Sequence, residues 1–491
     1  MFNPIFLLRC ALGGVLALAG CAAPQPEASA PRPNVLWIVA DDLGPDLGGY
    51  GDSLVYTPHL DQLAQEGARY THLYTVTAVC SPSRSALITG MYPVSINAHQ
   101  HRTQYKDSLP GPVRPITEYF RQAGYFVSNG SADDWSAFGK TDYNFIHTNR
   151  TLYDGTDWRQ RRPGQPFFAQ VQIFYPHRPF QRDPSHPIDP DSVRLPPYYP
   201  NHPVARQDWA LYLETVQQVD QQVGEILQRL AADGLADSTL VMFFGDQGRP
   251  HLRDKQFLYD GGTRTPLIIR WPGHIEPGTV DHQLLSNIDL APTTMAAADL
   301  PVPDYVQGQN FLFSSSPREY VFTMRDRRDG TVDRIRAVRS QEFKYIRNFY
   351  PDRPYTQFNA YKKSSYPVLT LMQVLHQRHQ LSDEQARFMA DHRPAEELYR
   401  LNDDPYETHN LADDPQYQNT LTKLRNVLDN WLAQIDTAVY PEDSAEVAYA
   451  TQLMYRNFAR NMQRRGLDTS VSDEDFLQYW QQTLTPTQPQ Q

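Results

Sequence analysis

The sequence predicts an α/β protein: a large, mixed but mostly parallel sheet sandwiched by helices, with a smaller antiparallel-sheet subdomain toward the C-terminus. Three observations carry this expectation. PNVLWIVADD (33–42), QPFFAQVQIFYPH (165–177) and STLVMFFGDQG (238–248) contain continuous apolar runs of strand length, as expected of strands buried on both faces. Helical patterns alternate with these runs, which implies a layered α/β arrangement with a parallel core. After about residue 315 the texture changes to short strand-like segments separated by turns.

Taken in order, residues 33–42 end in Asp41 and Asp42. TPHLDQLAQEGARY (57–70) reads as a helix with Thr57 as N-cap, Pro58 in the first turn and Gly67 near its end. RPITEYFRQAGYFVSN (114–129) repeats a helix–glycine–strand pattern, and residues 165–177 form a strand ending at His177. DPSHPIDPDSVRLPPYYPNHPV (183–204), with its many prolines, reads as an extended surface crossing of the kind that rims active sites. DWALYLETVQQVDQQVGEILQRLAADG (208–234) is a long amphipathic helix, and the next strand ends at Asp246 and Gln247. Beyond 315, REYVFTMRD, RIRAVRSQ and FKYIRNFY are short strands, EELYRLNDDPYETHNLADDP (396–415) closes their sheet, and the rest is helical up to a polar TPTQPQQ end. Polar residues thus gather at strand C-termini, where open α/β sheets place their sites.

Composition narrows the function. Of 491 residues, 40% are hydrophobic and 21% charged, as in ordinary globular proteins. A net charge of -11 argues against nucleic acid or any polyanion as a bulk electrostatic partner. A polyanionic substrate is compatible with it only where basic residues collect in one pocket.

The N-terminus reads as an export signal. MFNPIFLLRC supplies a short basic region with Arg9, and CALGGVLALAG is an apolar core too short to span a bilayer. Leu18-Ala19-Gly20-Cys21 resembles a bacterial lipobox, which implies cleavage before Cys21 and lipidation of its sulfur. The expected organisation is a signal peptide over 1–20, a flexible tether over 21–32, a catalytic domain over 33–315, an α+β subdomain over 316–415 and a helical extension over 416–491. The expected location is a bacterial membrane, on its periplasmic or cell-surface side, with the lipid anchor as the only membrane contact. Cys10 leaves with the signal and Cys21 carries lipid, so Cys80 is left without a partner. An unpaired thiol in an exported protein needs a reason.

The site candidates fall into two sets. Asp41, Asp42, Asp246 and Gln247 are oxygen donors that suit Ca²⁺ or Mg²⁺ better than Zn²⁺. Paired acids at a strand end can also be structural or cap a helix. Arg84, Lys140, His177 and Lys255 are cationic candidates next to strand ends or turns. With a divalent metal they would form a pocket for a tetrahedral dianion such as sulfate or phosphate.

CSPSRSALITG (80–90) resembles the sulfatase signature C-x-P-S-R followed by a small-Leu-Thr-Gly stretch. PNVLWIVADDLG, PHRPF, FFGDQG, KQFLYDGGTRTPLIIRWPG and EELYRLNDDPYETHNL resemble further blocks of the same family, in the family's order from about 33 to 415. The chain is therefore identified as resembling the type I sulfatases of the alkaline phosphatase superfamily. That resemblance implies an alkaline-phosphatase-like fold and oxidation of Cys80 to formylglycine by a maturation enzyme. It implies a Ca²⁺ held by Asp41, Asp42, Asp246 and Gln247 that also touches the residue at 80. Arg84 would hold the aldehyde hydrate in its nucleophilic form, Lys140 and Lys255 would bind sulfate oxygens, and His177 would contact sulfate. Either His177 or Lys255 would protonate the leaving oxygen.

The chain departs from the family pattern at three places. Gln247 stands where Asn or His is usual. Gly139-Lys140-Thr141-Asp142 keeps the lysine of the G-K-x-H block and replaces its histidine. INAHQHR (96–102) offers His99 and His101 as substitutes or substrate contacts, and Asp142 is expected to face a sugar hydroxyl or pair with a cation. The expected activity is hydrolysis of sulfate esters on an extracellular carbohydrate, with a tyrosine-rich surface (29 tyrosines) suited to stacking on sugar rings. A phosphodiesterase or phosphonate monoester hydrolase of the same superfamily, and a lipid-anchored glycan-binding protein with a vestigial site, are the alternatives.

Overall fold

A computed structural model describes residues 1, 32–314 and 316–484 of the chain. The expected signal peptide beyond Met1, Cys21, nearly all of the expected tether and the TPTQPQQ end lie outside the described residues. From Pro33 onward the chain forms one compact unit.

The first half builds an eight-stranded sheet. Its strands are β1 (Asn34–Ala40), β2 (Ala68–Tyr74), β3 (Phe126–Ser131), β4 (Phe167–Ile173), β5 (Thr239–Gly245), β6 (Arg264–Arg270), β7 (Thr279–Asp281) and β8 (Leu285–Ser286). The order is β3-β4-β1-β5-β6-β2-β7, with β8 also on β2. β3, β4, β1 and β5 run parallel, whereas β6 is antiparallel to both β5 and β2. The apolar runs are buried because both faces are covered. Leu36, Ile38 and Ala40 enter one core cluster, while Val35, Trp37 and Val39 enter the other.

The helices follow the expected pattern with shifted ends: α1 (Pro58–Glu66), α2 (Cys80–Thr89), α3 (Ile116–Gln122), α4 (Pro203–Ala232) and α5 (Leu290–Ala297). Thr57 does precede α1, but its hydroxyl accepts from Gly48 N–H rather than capping the helix. The long helix α4 starts five residues before the expected Asp208, because Pro203 fits a first helical turn and His202 Nδ1 accepts from Val204 N–H.

The second sheet is antiparallel, β12-β11-β10-β9, from β9 (Val321–Arg325), β10 (Ile335–Arg339), β11 (Phe343–Asn348) and β12 (Glu396–Arg400). Helices α6 (Ala360–Ser365), α7 (Pro367–Gln377), α8 (Gln418–Ile435), α9 (Ser444–Arg464) and α10 (Asp473–Leu484) complete the unit. The segment between β9 and β10 reaches back to the first sheet: His101 N–H donates to Arg327 O at 3.1 Å, and Arg328 donates to Thr77 Oγ1 at 2.7 Å. No described helix is long and apolar enough to cross a membrane.

Candidate functional site

The register of the three central strands assembles the site. Ala40, at the end of β1, pairs with Ile173 of β4 on one side and Gly245 of β5 on the other. The residues that follow therefore emerge together at one edge of the sheet. Asp246 N–H donates to Ala40 O at 2.9 Å, and Asp42 N–H donates to Asp246 Oδ1 at 2.9 Å. Asp42 takes a left-handed backbone (φ 68°), a conformation that Asp tolerates better than most residues.

Cys80 begins α2, whose ten residues are all buried, and it is the free cysteine among the described residues. One ligand atom from each of Asp41, Asp42 and Cys80 falls within 4.8 Å of the others. Gln247 Nε2 contacts Asp42 Oδ1 and lies 3.6 Å from Cys80 Sγ. The cations sit on the acids. Arg84 Nε donates to Asp246 at 2.7 Å, Lys140 Nζ to Asp41 at 2.6 Å, and Lys255 Nζ contacts Asp42 and lies 3.8 Å from Cys80 Sγ. His177 Nε2 lies 3.9 Å from Asp42. Asp41, Asp42, Cys80, Arg84, Lys140, His177, Asp246, Gln247 and Lys255 are thus one cluster.

Burial sets the electrostatics. It pushes the Cys80 thiol well above its ordinary value, so the unmodified thiol is protonated and weakly nucleophilic. Burial and the Asp41 charge push Asp246 up to about 7, while Lys140 and Arg84 overcome burial to hold Asp41 well below the carboxylate range. Burial, then the Lys255 charge, lowers His177. Three crowded carboxylates are what a hard dication relieves. Gln247 Oε1 is buried without a hydrogen-bond partner, and turning the amide over would present it to a cation. The donor set therefore fits Ca²⁺ or Mg²⁺.

Several supporting residues carried no sequence signal. Gln172 Oε1 accepts from Arg84 Nη1 at 2.7 Å, and its amide donates to Asn129 Oδ1 at 3.0 Å. Asn287 donates to Ser83 Oγ at 3.0 Å, and that hydroxyl donates to Asp246 O. Tyr361, from α6, stacks on His177 with centroids 5.7 Å apart and holds Lys255 Nζ 5.3 Å above its ring.

Cys80, Lys140, His177, Lys255 and Tyr361 open onto a cleft of about 340 Å³. His101 lines it too, hydrogen-bonded to Asp329 at 3.0 Å. Of the other two candidate substrate contacts, one is corrected. His99 is buried near Asp326 and Arg336 instead of lining the cleft, because the chain bends at Gln100, between it and His101. Asp142 does not line the cleft; it takes the expected alternative of pairing with a cation, accepting from Arg102 Nε at 3.2 Å and Nη2 at 3.0 Å, and Arg102 forms the wall.

Arg178, next to His177, anchors this edge. Its guanidinium donates to both Asp208 oxygens at 2.7 and 2.6 Å and lies between the rings of Phe180 and Tyr366. Arg178→Ala is expected to destabilise the fold by about 3–5 kcal/mol, because it leaves the Asp208 charge buried and unpaired. Denaturant unfolding measures this, and a loss below about 1 kcal/mol contradicts it.

Residues 33–300 match the sulfatase family model, and residues 248–380 match a model described as the C-terminal part of N-sulphoglucosamine sulphohydrolase. An ulvan-active sulfatase of Formosa agariphila is 37% identical over 467 residues, covering 84% of this chain and 76% of that protein. Human N-sulphoglucosamine sulphohydrolase is 28% identical, covering 86% and 92%. A structure solved with D-glucosamine-2-N,6-O-disulfate superposes with a TM-score of 0.61 at 18% identity, covering 83% of this chain and 100% of that one. The phosphonate monoester hydrolase of Agrobacterium radiobacter gives 0.61 at 20%, covering 82% and 96%. At those identities the structural matches show the fold alone.

Proposed function

Because the chain belongs to the sulfatase family and is a sulfuric ester hydrolase, we propose that it removes sulfate from an acidic, sulfated polysaccharide or its oligosaccharides, outside the cell and tethered through Cys21. The observation that carries the reading is the convergence of Asp41, Asp42, Asp246, Cys80, Arg84, Lys140, His177 and Lys255 at one strand edge that opens onto a cleft. The ulvan and glucosamine substrates named for its relatives support the carbohydrate class.

The residue at 80 would be formylglycine, whose hydrate supplies two hydroxyls: one to take the sulfuryl group, the other to lose a proton as sulfate departs and the carbonyl returns. Asp41, Asp42, Asp246 and Gln247 would hold Ca²⁺, which supplies Lewis-acidic charge to the sulfate oxygens. With that charge present, Lys140 and Lys255 are free to donate to sulfate oxygens instead of offsetting Asp41 and Asp42. Arg84, fixed by Asp246 and Gln172, holds a positive charge next to position 80. His177 and Lys255 both line the cleft, and either can give the leaving alcohol the proton it needs.

The test is a rate comparison of the matured protein on an aryl sulfate, the corresponding aryl phosphate and phosphonate monoester, and a panel of sulfated oligosaccharides. Sulfate esters are expected to be favoured over the phosphorus esters, with one or more of the sulfated oligosaccharides turned over faster than the aryl sulfate. Preference for the phosphorus esters would establish the alternative hydrolase.

A further inference from the structure

Helix α9 (Ser444–Arg464) lies beyond both matched family segments, which end at residue 380. It is amphipathic in two directions. Ala450, Met454, Phe458 and Met462 recur every four residues and are buried. Next to them, Asn457, Arg460, Asn461 and Arg464 recur at helical spacing, so they share a second stripe. That stripe lines the catalytic cleft together with Cys80, Lys140 and Lys255.

The two arginines are exposed and differ from the third arginine of the cleft wall, Arg102, which is paired with Asp142. Arg460 and Arg464 have neither a carboxylate nor a hydrogen-bond partner among the described residues, although the protein as a whole carries a net charge of -11. Asp329 is the carboxylate residue of the cleft wall, and it is engaged by His101. Cationic groups therefore outnumber anionic ones at the mouth by more than the cluster around position 80 needs. Two free guanidinium groups on a rigid helix suit a carboxylate or sulfate held side-on.

Asn461 and Arg464 also line a second cavity, of about 540 Å³, with Arg182, Arg465, Tyr479 and Trp480. The two cavities therefore share these two residues.

Resting on the sulfatase reading above, we infer that Arg460 and Arg464 form an anion subsite for a second acidic group, a carboxylate or a sulfate, on the sugar beside the one bearing the scissile sulfate. The subsite selects polyanionic saccharides over simple sulfate esters. It attracts the substrate locally despite the protein's negative net charge.

The test compares wild type, Arg460→Ala, Arg464→Ala and the double variant on four substrates. These are a sulfated disaccharide with an adjacent uronate, its carboxyl-reduced form, a disulfated disaccharide without uronate, and a neutral aryl sulfate. The ratio of kcat/KM on an acidic disaccharide to that on the aryl sulfate is expected to fall roughly 10–100-fold in the double variant, mainly through KM. A fall on the uronate disaccharide that its carboxyl-reduced form does not share assigns the subsite to carboxylate; one confined to the disulfated compound assigns it to sulfate. An unchanged ratio overturns the subsite, whether rates hold or fall together on every substrate. Failure of the wild type on the aryl sulfate as well as the disaccharides would instead sink the parent reading.

Discussion

Cys80→Ser is expected to cut steady-state turnover of an aryl sulfate by about three orders of magnitude or more while leaving the fold intact. Serine differs from cysteine by one atom at a buried helix start, so α2 and the surrounding contacts persist. Its chemistry differs more. A single hydroxyl at position 80 can take a sulfuryl group but has no second hydroxyl with which to expel it. The expected trace is a release of aryl alcohol of at most one equivalent, followed by a halt. In wild type made with a maturation enzyme, mass spectrometry of the peptide containing residue 80 should show the aldehyde. Steady-state activity of the serine variant within tenfold of wild type would remove the aldehyde from the mechanism.

What could be read from sequence and what could not divides along physical lines. Asp41, Asp42, His177, Asp246 and Gln247 follow strand-length apolar runs, and parallel strands bring such ends to one edge, so the gathering of these residues was legible from pattern alone. Cys80 and Arg84 were legible as a motif on one helix. Gln172 and Asn129 were not, because polar residues within strands look alike whether they face solvent or hold a buried guanidinium. Tyr361 and the stripe on α9 come from segments far along the chain, and no local pattern announces which cleft a distant helix will wall. His99 was misplaced for a smaller reason: the chain bends at Gln100, between it and His101, and composition says nothing about such a bend.

Asp246→Ala should remove metal binding and activity together. Asp246 accepts from Arg84 Nε and from Asp42 N–H, and its carboxyl sits among Asp41, Asp42 and Gln247 with no access to bulk water. A dication there is held by charge that only three carboxylates supply, with Gln247 Oε1 as a neutral fourth donor. Losing one acid leaves too few hard donors, and the one carboxylate left to Arg84 is Asp41 at 3.6 Å. Wild type should therefore bind Ca²⁺ by calorimetry, gain Tm on its addition and lose its rate with a chelator. The variant should show no Ca²⁺ heat and no Ca²⁺-dependent rise in Tm, with kcat/KM down by roughly a thousandfold. The Tm in the absence of Ca²⁺ separates this from misfolding, since the variant also relieves repulsion among the acids and should unfold no more than a few degrees below metal-free wild type. If chelation leaves the wild-type rate untouched, or the variant still binds Ca²⁺ as tightly, the acids at these strand ends serve the arginine and the lysines and not a metal.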